Sequence, residues 1–497
     1  MSNPTLRHSL WQRRPGQSPH VLLGASAETD VLVIGAGMTG LLTAARLAEH
    51  GLQVMVVDAG PIGGRNTGLS TGNLYAPISN MADLVARWDT DTARRITQWR
   101  SEAVRSIETL VQRHDIRCSF QRVPMQYGVQ ERSREATAQF ERELHAYQRV
   151  GLDCQHQQSG LPFSLAHAFQ VPDQAQFDPA AFCEQLAIGL SGRVRIHDWT
   201  QILDLDPAGG VARTRSGTIR ARHFVLATHS PLGFNVVQAE MEVYREYALA
   251  VPVEQAPEAG IHWIADRHRS MRGIEQDDGQ SWLVLVGEMH RTGETPLVDP
   301  ARHLQQDAER NFQLRGEPIC WSAQQFRPAD RLPYIGRSAH ENVWMATGYG
   351  PDGLAWAGVA AEAISEGIEG HETEAAHLLS PLRFTPFRSA AGWARTNATV
   401  ARHMIGDRLA SAPSEVPEQL EAGQGALIEI DGERTAAYRD ERGNLHTMSP
   451  LCPHMKCVVQ WNTHERTWDC PCHGSRFKAT GALLEGPASE GLAAKAG

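Results

Sequence analysis

The chain has 497 residues, of which 41% are apolar, and its formal net charge is −10 at pH 7. This length and apolar content suffice for two or three domains with buried cores. The acidic balance, without a basic stripe, argues against a nucleic-acid partner, and no apolar run reaches the ~18 residues of a transmembrane segment.

The first 28 residues are predicted to form an N-terminal tail, because they are rich in Ser, Pro, Arg and His. Arg13-Arg14 raises the question of a twin-arginine export signal. The apolar run that follows, Val21 to Gly24, is too short for a signal sequence. We therefore expect a cytoplasmic protein.

A nucleotide-binding pattern begins at residue 30. Asp30 to Ile34 is apolar and β-branched like a buried parallel strand, and Gly35-Ala-Gly37-Met-Thr-Gly40 follows it directly. Leu41 to His50 has helical spacing, and a second strand, Gln53 to Val57, ends in an acid. This order of strand, Gly-x-Gly-x-x-Gly, helix, strand and acid is the dinucleotide-binding fingerprint in its required context.

Each conserved element of that fingerprint has a physical role. Gly35 permits the tight turn, Gly37 lets a pyrophosphate approach the main chain, and Gly40 lets helix and strand pack closely. The helix N-terminus then faces the phosphates. Asp58, eighteen residues beyond Gly40, is predicted to accept a hydrogen bond from a ribose hydroxyl.

Later segments indicate which dinucleotide is bound. They are, in chain order, a glycine-rich loop from Gly60 to Gly68, a strand from Phe224 to His229, Arg327-Pro328, Leu332 to Gly336, and Ala346-Thr-Gly-Tyr-Gly-Pro-Asp-Gly-Leu354. The last is a glycine turn that leads into a helix from Leu354 to Gly367. The N-terminal dipole of such a helix stabilises the anionic edge of a reduced flavin.

With these motifs in this order, residues 29–375 resemble the D-amino acid oxidase family of FAD enzymes, which includes glycine and sarcosine oxidases. The resemblance implies an α/β, Rossmann-like FAD-binding domain and an antiparallel-sheet substrate domain built from residues of about 81–150 and 240–325. It implies that Arg327 binds a substrate carboxylate, although a structural pairing with Asp330 is the alternative, and that Tyr334 and Tyr349 line the pocket. The implied FAD contacts are Gly35, Gly37, Met38, Thr39, Gly40, Asp58, Ala59, Gly64, Arg65, Asn66, Thr67, Ile202, Ala227, Thr228, Gly348, Gly350, Gly353 and Leu354.

The chain also departs from that family. Pro351 and Asp352 replace the small residues common in the last glycine turn, which puts the flavin contacts there in question. No histidine lies between Gly63 and Gly72, where some relatives attach FAD covalently, and Cys320 is expected to be a buried structural thiol. We therefore expect non-covalent FAD.

Residues 376–424 are predicted to link this region to a further domain. The linker has one predicted helix, roughly Ala390 to Leu409, and an exposed Ser/Pro-rich link from Ser411 to Pro417.

Residues 425–497 contain two short cysteine boxes. Cys452-Pro-His454 and Cys470-Pro-Cys-His473 are separated by fifteen residues. One Cys and one His from each box suit a [2Fe–2S] cluster with Cys on one iron and His on the other. A Cys₂His₂ zinc site is the alternative, but zinc fingers usually place Cys with Cys and His with His.

The boxes resemble the Rieske iron–sulfur domain, an all-β fold. The resemblance implies Cys452, His454, Cys470 and His473 as ligands, a disulfide between the second cysteines of the two boxes, Cys457 and Cys472, and a hydroxyl of Ser475 that donates to the cluster. Phe477 stands where high-potential relatives carry a second donor, a tyrosine, so we predict a mid-range potential. Four other cysteines are expected to be buried thiols: Cys118, Cys154, Cys183 and Cys320.

These features predict an FAD-dependent oxidoreductase, a dehydrogenase or oxidase of a small amine or amino acid, that passes electrons between flavin and a Rieske [2Fe–2S] cluster. A one-electron carrier protein is a possible acceptor. Two alternatives stay open at this level. In one, a ferredoxin feeds the cluster and electrons run backward to the flavin; in the other, the chain is a non-catalytic electron-transfer or redox-sensing adaptor.

Overall fold

The computed structural model describes residues 8–13, 22–156, 160–233, 235–276, 279–296, 298–402 and 419–495. The predicted link from Ser411 to Pro417, the end of the predicted linker helix, and Arg14 lie outside the described residues.

The strands are β1 (Ala27–Ile34), β2 (Val54–Val57), β3 (Asn73–Leu74), β4 (Gln121–Val129), β5 (Gln155–His156), β6 (His167–Gln176), β7 (Val194–His197), β8 (Asp204–Asp206), β9 (Val211–Arg213), β10 (Thr218–Leu226), β11 (Met241–Pro252), β12 (Ile261–Ile264), β13 (Arg269–Glu275), β14 (Ser281–Arg291), β15 (Ile319–Pro328), β16 (Tyr334–Arg337), β17 (Val343–Thr347), β18 (Gly425–Ile430), β19 (Glu433–Arg439), β20 (Leu445–Met448), β21 (Gln460–Asn462), β22 (Thr467–Asp469), β23 (Arg476–Lys478) and β24 (Leu483–Glu485).

Several α-helices begin at a residue whose side chain caps the first turn. Asp89, for example, caps a 24-residue amphipathic helix by accepting from the Thr92 N–H at 2.7 Å. The helices are α1 (Met38–Glu49), α2 (Met81–Arg87), α3 (Thr90–Arg113), α4 (Arg134–Arg149), α5 (Pro179–Leu190), α6 (Pro300–Asn311), α7 (Gly353–Ile368), α8 (Glu374–Leu378) and α9 (Pro386–Ala401).

The first sheet is the nucleotide-binding sheet. Its strands lie in the order β16-β17-β10-β1-β2-β7, with β9 on β10 and β8 on β9. The strands β17, β10, β1, β2 and β7 pair in parallel, so their carboxyl ends meet at one edge. The helices α1 and α7 pack together on one face and bury a continuous apolar cluster.

The second sheet has nine strands, in the order β15-β11-β14-β13-β12-β4-β6-β3 with β5 on β6. Its pairings are antiparallel except between β12 and β4. Strand β6 also belongs to this sheet, because it forms an antiparallel pair with β4. Its residues lie outside the two segments that were predicted to form the substrate domain.

The C-terminal region is all-β, with one sheet of β18-β19-β20 and another of β21-β22-β23-β24. Its last residues form a single bridge, Met448 to Ala494, instead of a closing strand. The predicted fold class, a Rossmann-like domain, an antiparallel sheet and an all-β C-terminal domain, is confirmed.

Three of the four thiols that were expected to be buried are buried. Cys118, Cys183 and Cys320 are buried, whereas Cys154 is half-buried. Burial raises the pKa of the Cys320 thiol to about 12. Within the described ranges, no helix combines the length and apolar character needed to cross a membrane.

Candidate functional site

The glycines of the turn after β1 leave little room for side chains at their own positions. A Cβ at Gly35, whose φ is +114°, would lie 2.4 Å from the Ala227 carbonyl oxygen. A Cβ at Gly40 would lie 1.9 Å from the carbonyl oxygen of Gly35. At Gly37 a Cβ would meet the Thr67 hydroxyl at 3.0 Å. Gly37, the N-cap of α1, supplies no side-chain cap, so the helix N-terminus is bare of its own capping group, which suits an anion-binding helix terminus.

Asp58 ends β2 beside this turn. Its Oδ2 accepts from the Ala36 N–H at 2.7 Å and its Oδ1 from the Gly60 N–H at 2.8 Å. Burial raises the pKa of Asp58, while these two bonds lower it. An ionised carboxylate has about four acceptor sites, so Asp58 can also accept from a ligand hydroxyl. The buried side chain of Ile202 lies near the same edge, two residues after Thr200, whose N–H donates to the Asp58 carbonyl.

The loop that follows contains the predicted contacts Ala59, Gly64, Arg65, Asn66 and Thr67. Thr67 accepts from the Met38 N–H at 3.1 Å, which ties the loop to the start of α1. Arg65 instead donates to the carbonyl of Leu484 in the C-terminal domain. No pattern in the sequence predicts this interdomain contact.

An N-terminal segment, residues 8–13, holds the same loop from outside. Trp11 Nε1 donates to the Ser70 carbonyl at 2.7 Å, and Gln12 Nε2 donates to the Gly64 carbonyl at 2.6 Å. The Trp11 ring also lies 5.2 Å from the Arg272 guanidinium. Part of the predicted tail therefore packs on the candidate cofactor loop.

The late glycine turn meets the early one. The Tyr349 hydroxyl lies 3.2 Å from the Thr39 hydroxyl, and the Gly350 N–H donates to the Phe326 carbonyl at 2.9 Å. Gly348 and Gly350 have φ of +79° and +58°, which favour glycine. Gly353 then begins α7, and Leu354 is buried behind it.

The segment of Ala227 and Thr228 joins both turns. The Ala227 N–H donates to the Ile34 carbonyl at 2.9 Å, and the Thr347 hydroxyl donates to the His229 carbonyl at 2.6 Å. The segments that carry the predicted cofactor contacts therefore meet at one edge of the first sheet.

Asp352 is a buried hub that sequence reasoning missed. Its Oδ1 accepts from the Tyr75 hydroxyl at 2.8 Å and from the Ser79 hydroxyl at 2.9 Å. The wholly buried Arg100 guanidinium lies 3.9 Å from the same oxygen. All three partners lie more than 250 residues from Asp352 in the sequence and share no motif with it, so no local signal could have found them.

Arg327 lies on β15 with no counter-charge in contact. Its Nε and Nη2 donate to the Gln325 Oε1 at 3.1 and 2.8 Å, and its guanidinium lies 5.2 Å from the Tyr244 ring centre. Among the described residues it forms no ion pair. Burial lowers its pKa, and Glu246 opposes that shift.

The alternative pairing of Arg327 with Asp330 does not occur. Asp330 accepts two hydrogen bonds from Arg383, at 2.8 and 2.9 Å. Tyr334 lies in the same region: its hydroxyl donates to Glu240 at 2.6 Å and its ring stacks under Arg383. Its hydroxyl is thus already engaged.

The four predicted cluster ligands come together in the C-terminal domain. The Cys470 thiol hydrogen-bonds that of Cys452 and holds the pKa of Cys452 below its ordinary value, at about 7. The rings of His454 and His473 lie 5.1 Å apart. Both nitrogens of His454 and Nδ1 of His473 are buried and have no hydrogen-bond partner among the described residues. A pair of thiols and a pair of imidazoles from the same two loops are the donor set that a Rieske cluster requires.

The implied disulfide is present, and Ser475 and Phe477 are buried in the same domain. Cys457 and Cys472 form a disulfide between the two loops. The buried Ser475 hydroxyl accepts from the Ala488 N–H at 3.0 Å and lies beside Cys452. Phe477 is fully buried and pairs across the sheet with Trp468.

The second cluster loop packs on the antiparallel sheet. Gln324 Nε2 on β15 donates to the Gly474 carbonyl at 2.9 Å, and a Cβ at Gly474 would lie 2.6 Å from Val243 on β11. On the other side, the main chain of Gly233 lies beside the His454 ring; burial lowers the pKa of His454 and this contact opposes it. The histidine edge of the candidate cluster therefore faces the nucleotide-binding domain.

A buried ionic network holds the two domains together. Glu465 accepts from Arg245 on β11 at 2.8 and 3.0 Å, from the Tyr247 hydroxyl at 3.0 Å and from the Ser322 hydroxyl at 2.8 Å. Glu465 also contacts Arg476 of its own domain. Burial raises the pKa of Glu465, but Arg245 and Arg476 prevail and hold it at about 2.

Comparison with known proteins agrees with this geometry. Residues 30–367 match the model of the FAD dependent oxidoreductase (DAO) family, and residues 412–495 match the Rieske [2Fe-2S] domain. A Bacillus subtilis protein named as a Rieske 2Fe-2S iron-sulfur protein, YhfW, is 29% identical over 483 residues, covering 95% of this chain and 94% of that protein. The Rieske match decides between cluster and zinc in favour of the cluster.

Two solved structures share the fold of the larger region. Glycine oxidase from Geobacillus kaustophilus superposes with a TM-score of 0.59 at 16% identity, over 72% of this chain and 99% of that one. L-Proline dehydrogenase from P. horikoshii superposes with a TM-score of 0.58 at 17% identity, over 72% of this chain and 98% of that one.

Proposed function

The chain belongs to the FAD-dependent oxidoreductase (DAO) family and carries a Rieske domain, and from this premise we propose that it is a dehydrogenase of a small amine or amino acid that passes electrons from flavin to its own cluster. It is an enzyme whose cofactors are FAD and a [2Fe–2S] cluster. The cytoplasmic location expected from the N-terminal sequence is part of the proposal.

When bound, FAD accepts a hydride and releases electrons singly, and a Rieske cluster carries one electron at a time. In the proposal, the bare N-terminus of α1 binds the pyrophosphate and Asp58 accepts from the ribose. The N-terminus of α7 stabilises negative charge on the reduced ring. The remaining residues named above as implied FAD contacts complete the site.

The proposed cluster ligands are Cys452, His454, Cys470 and His473. Their support is the unsatisfied, buried imidazole nitrogens beside two adjacent thiols. The disulfide of Cys457 with Cys472 closes the two loops over that position.

One observation supports the electron-transfer part of the proposal. One face of β11 and β15 lies toward the late glycine turn, and the opposite face lies against the Rieske domain. Side chains alternate along a strand. Arg327 and Gln325 lie on one face with the late glycine turn, and Gln324 lies on the opposite face, against the second cluster loop. Because one sheet separates these positions, transfer needs no domain movement.

Arg327 supports a substrate with a carboxylate. The Arg327 side chain is half-buried and forms no ion pair among the described residues, and its planar donors suit a carboxylate. Tyr334 is retained as a pocket candidate, although its hydroxyl is bound to Glu240. The alternative adaptor function has less support, because an adaptor has no use for an unpaired arginine beside the flavin turn.

The proposal is tested by anaerobic titration of the purified holoprotein with amino acids and amines, followed by visible absorption and low-temperature EPR. We expect flavin bleaching and then a Rieske signal with average g below 2. Dithionite serves as the control that both centres are reducible. If reduced ferredoxin fills the cluster and then the flavin while no amine bleaches it, reverse electron flow replaces this proposal.

A further inference from the structure

Two strands present a row of polar side chains toward the late glycine turn. In the antiparallel register of β11 and β15, Tyr244 lies opposite Gln325, and Glu242 lies opposite Arg327. Glu246 is two residues beyond Tyr244 and shares this face, because side chains alternate. All of them are on the side away from the Rieske domain.

One pair of charges in this row is satisfied internally. Glu242 forms an ion pair with Arg291 of β14, and it also accepts from the Tyr244 hydroxyl at 3.0 Å. This pair needs no ligand.

A second pair of charges is kept apart. Arg327 donates to the Oε1 of Gln325, and the Nε2 of the same Gln325 donates to Glu246. Neither Arg327 nor Glu246 forms an ion pair among the described residues. A single amide therefore lies between a guanidinium and a carboxylate that attract each other without forming a direct ion pair.

The separated charges face the cofactor turn. A Cβ at Gly350 would lie 3.8 Å from the Arg327 Cγ, and the Asp352 charge acts on both Arg327 and Glu246. Asp352 itself is satisfied by Tyr75, Ser79 and Arg100. Burial raises the pKa of Glu246, and Arg327 opposes that shift.

Both charges are half-buried, and a ligand with an opposite charge at each end would complete them. A zwitterion does so at both ends. In an α-amino acid the nitrogen and the carboxylate carbon are about 2.5 Å apart, so its two charged groups require a cation site and an anion site that are adjacent. Arg327 and Glu246, one side-chain amide apart, meet that requirement.

We propose that Glu246 binds the ammonium group of an α-amino acid whose carboxylate is bound by Arg327, and that it accepts the ammonium proton. The inference rests on the proposed function and narrows its substrate from amines in general to α-amino acids. The N–H bond breaks and its proton moves to the Glu246 carboxylate. The nitrogen lone pair then forms the C=N bond as the Cα–H bond breaks, and the hydride with its two electrons goes to FAD. The amino acid is oxidised to an iminium acid and FAD is reduced.

The test compares two non-reactive ligands by their perturbation of the flavin absorption spectrum. One is 2-aminoisobutyrate, which has no α-hydrogen and cannot lose a hydride; the other is isobutyrate, which lacks the amino group. We expect the wild type to bind the amino acid at least ~10-fold more tightly, the scale of a charge-assisted hydrogen bond. In E246Q, which still offers Gln325 an acceptor, that ratio falls to about one.

Two further variants serve as a control and as a conservative substitution. E254Q removes an exposed carboxylate paired with Arg315 and should keep the wild-type ratio. E246D retains the carboxylate and should retain part of the ratio even if E246Q loses FAD or fails to fold.

The outcomes separate the two levels of the argument. An unchanged ratio in E246Q, or a wild-type ratio of about one, with amino acids still bleaching the wild-type flavin, overturns the role of Glu246 alone. If amines bleach the wild-type flavin and no amino acid does, this inference is wrong and the proposed function stands. If neither amines nor amino acids bleach it, both are wrong.

Discussion

Glu465 is the residue whose removal should most clearly separate the two domains. It is 8% exposed in its side chain and bridges Arg245 of β11 with Arg476 of the Rieske domain. The variant E465Q keeps its shape and removes its charge. Arg245 would then keep its hydrogen bond to the Ser322 hydroxyl and an ion pair with Glu485 at 3.6 Å.

Two estimates of the stabilising free energy that E465Q would lose agree in magnitude. Breaking a buried ion pair by removing one partner costs about 3–5 kcal/mol. The fall in the pKa of Glu465 from 4.5 to about 2 corresponds to about 3 kcal/mol. Since the folded-state pKa is depressed, this stabilisation is present above pH ~4.5 and is lost as the pH falls toward ~2.

Calorimetry and rapid kinetics check the prediction. We expect E465Q to resolve a separate, earlier unfolding transition of the Rieske domain, and cluster reduction after flavin reduction to slow while flavin reduction itself is unchanged. E441Q is the matched control, since Glu441 pairs with Arg466 on the surface and should matter by less than ~1 kcal/mol. An E465Q protein with one wild-type transition and unaltered cluster reduction would refute the idea that this network docks the domain.

Three further outcomes are expected. R327Q should raise the KM for carboxylate-bearing substrates at least ~10-fold, because a charge-assisted pair is lost. R315Q, at the exposed pair, should leave the KM unchanged. Steady-state kinetics measure both, and equal effects of the two variants would contradict the carboxylate-binding role of Arg327. S475A should lower the cluster potential and F477Y should raise it, each by roughly 50 mV for one hydrogen bond in a one-electron couple; redox titration followed by circular dichroism measures both, and a wild-type potential near the upper Rieske limit would contradict the mid-range expectation. Deleting residues 1–12, which removes the Trp11 and Gln12 bonds to the cofactor loop, should weaken FAD retention; FAD content after gel filtration tests this, and full retention would show that the segment is dispensable.

The sequence predicts some residues of the candidate sites directly and leaves the role of others open. The cluster boxes and the glycine fingerprint are local in sequence, and the structure brings their residues together. The role of Arg327 was left balanced against a pairing with Asp330, because sequence does not say which acid a guanidinium reaches. In the structure Arg383 occupies Asp330.

Other residues could not have been predicted. The hub at Asp352 joins Tyr75, Ser79 and Arg100 from distant segments. The N-terminal segment was expected to be a tail, yet Leu10 and Trp11 are buried against the second sheet. Apolar residues in so short a run do not reveal which distant surface will cover them.

By itself the sequence determined what depends on spacing along the chain: the bare turn at Gly35, the ligand boxes around Cys452 and Cys470, and therefore both cofactors. Only the tertiary structure decided what depends on register between distant strands. The pairing of β11 with β15 assigns Glu246 and Arg327 to one face and Gln324 to the other. A shift of one residue in that pairing would exchange the faces, so the relation between substrate side and cluster side arises only when the sheet forms.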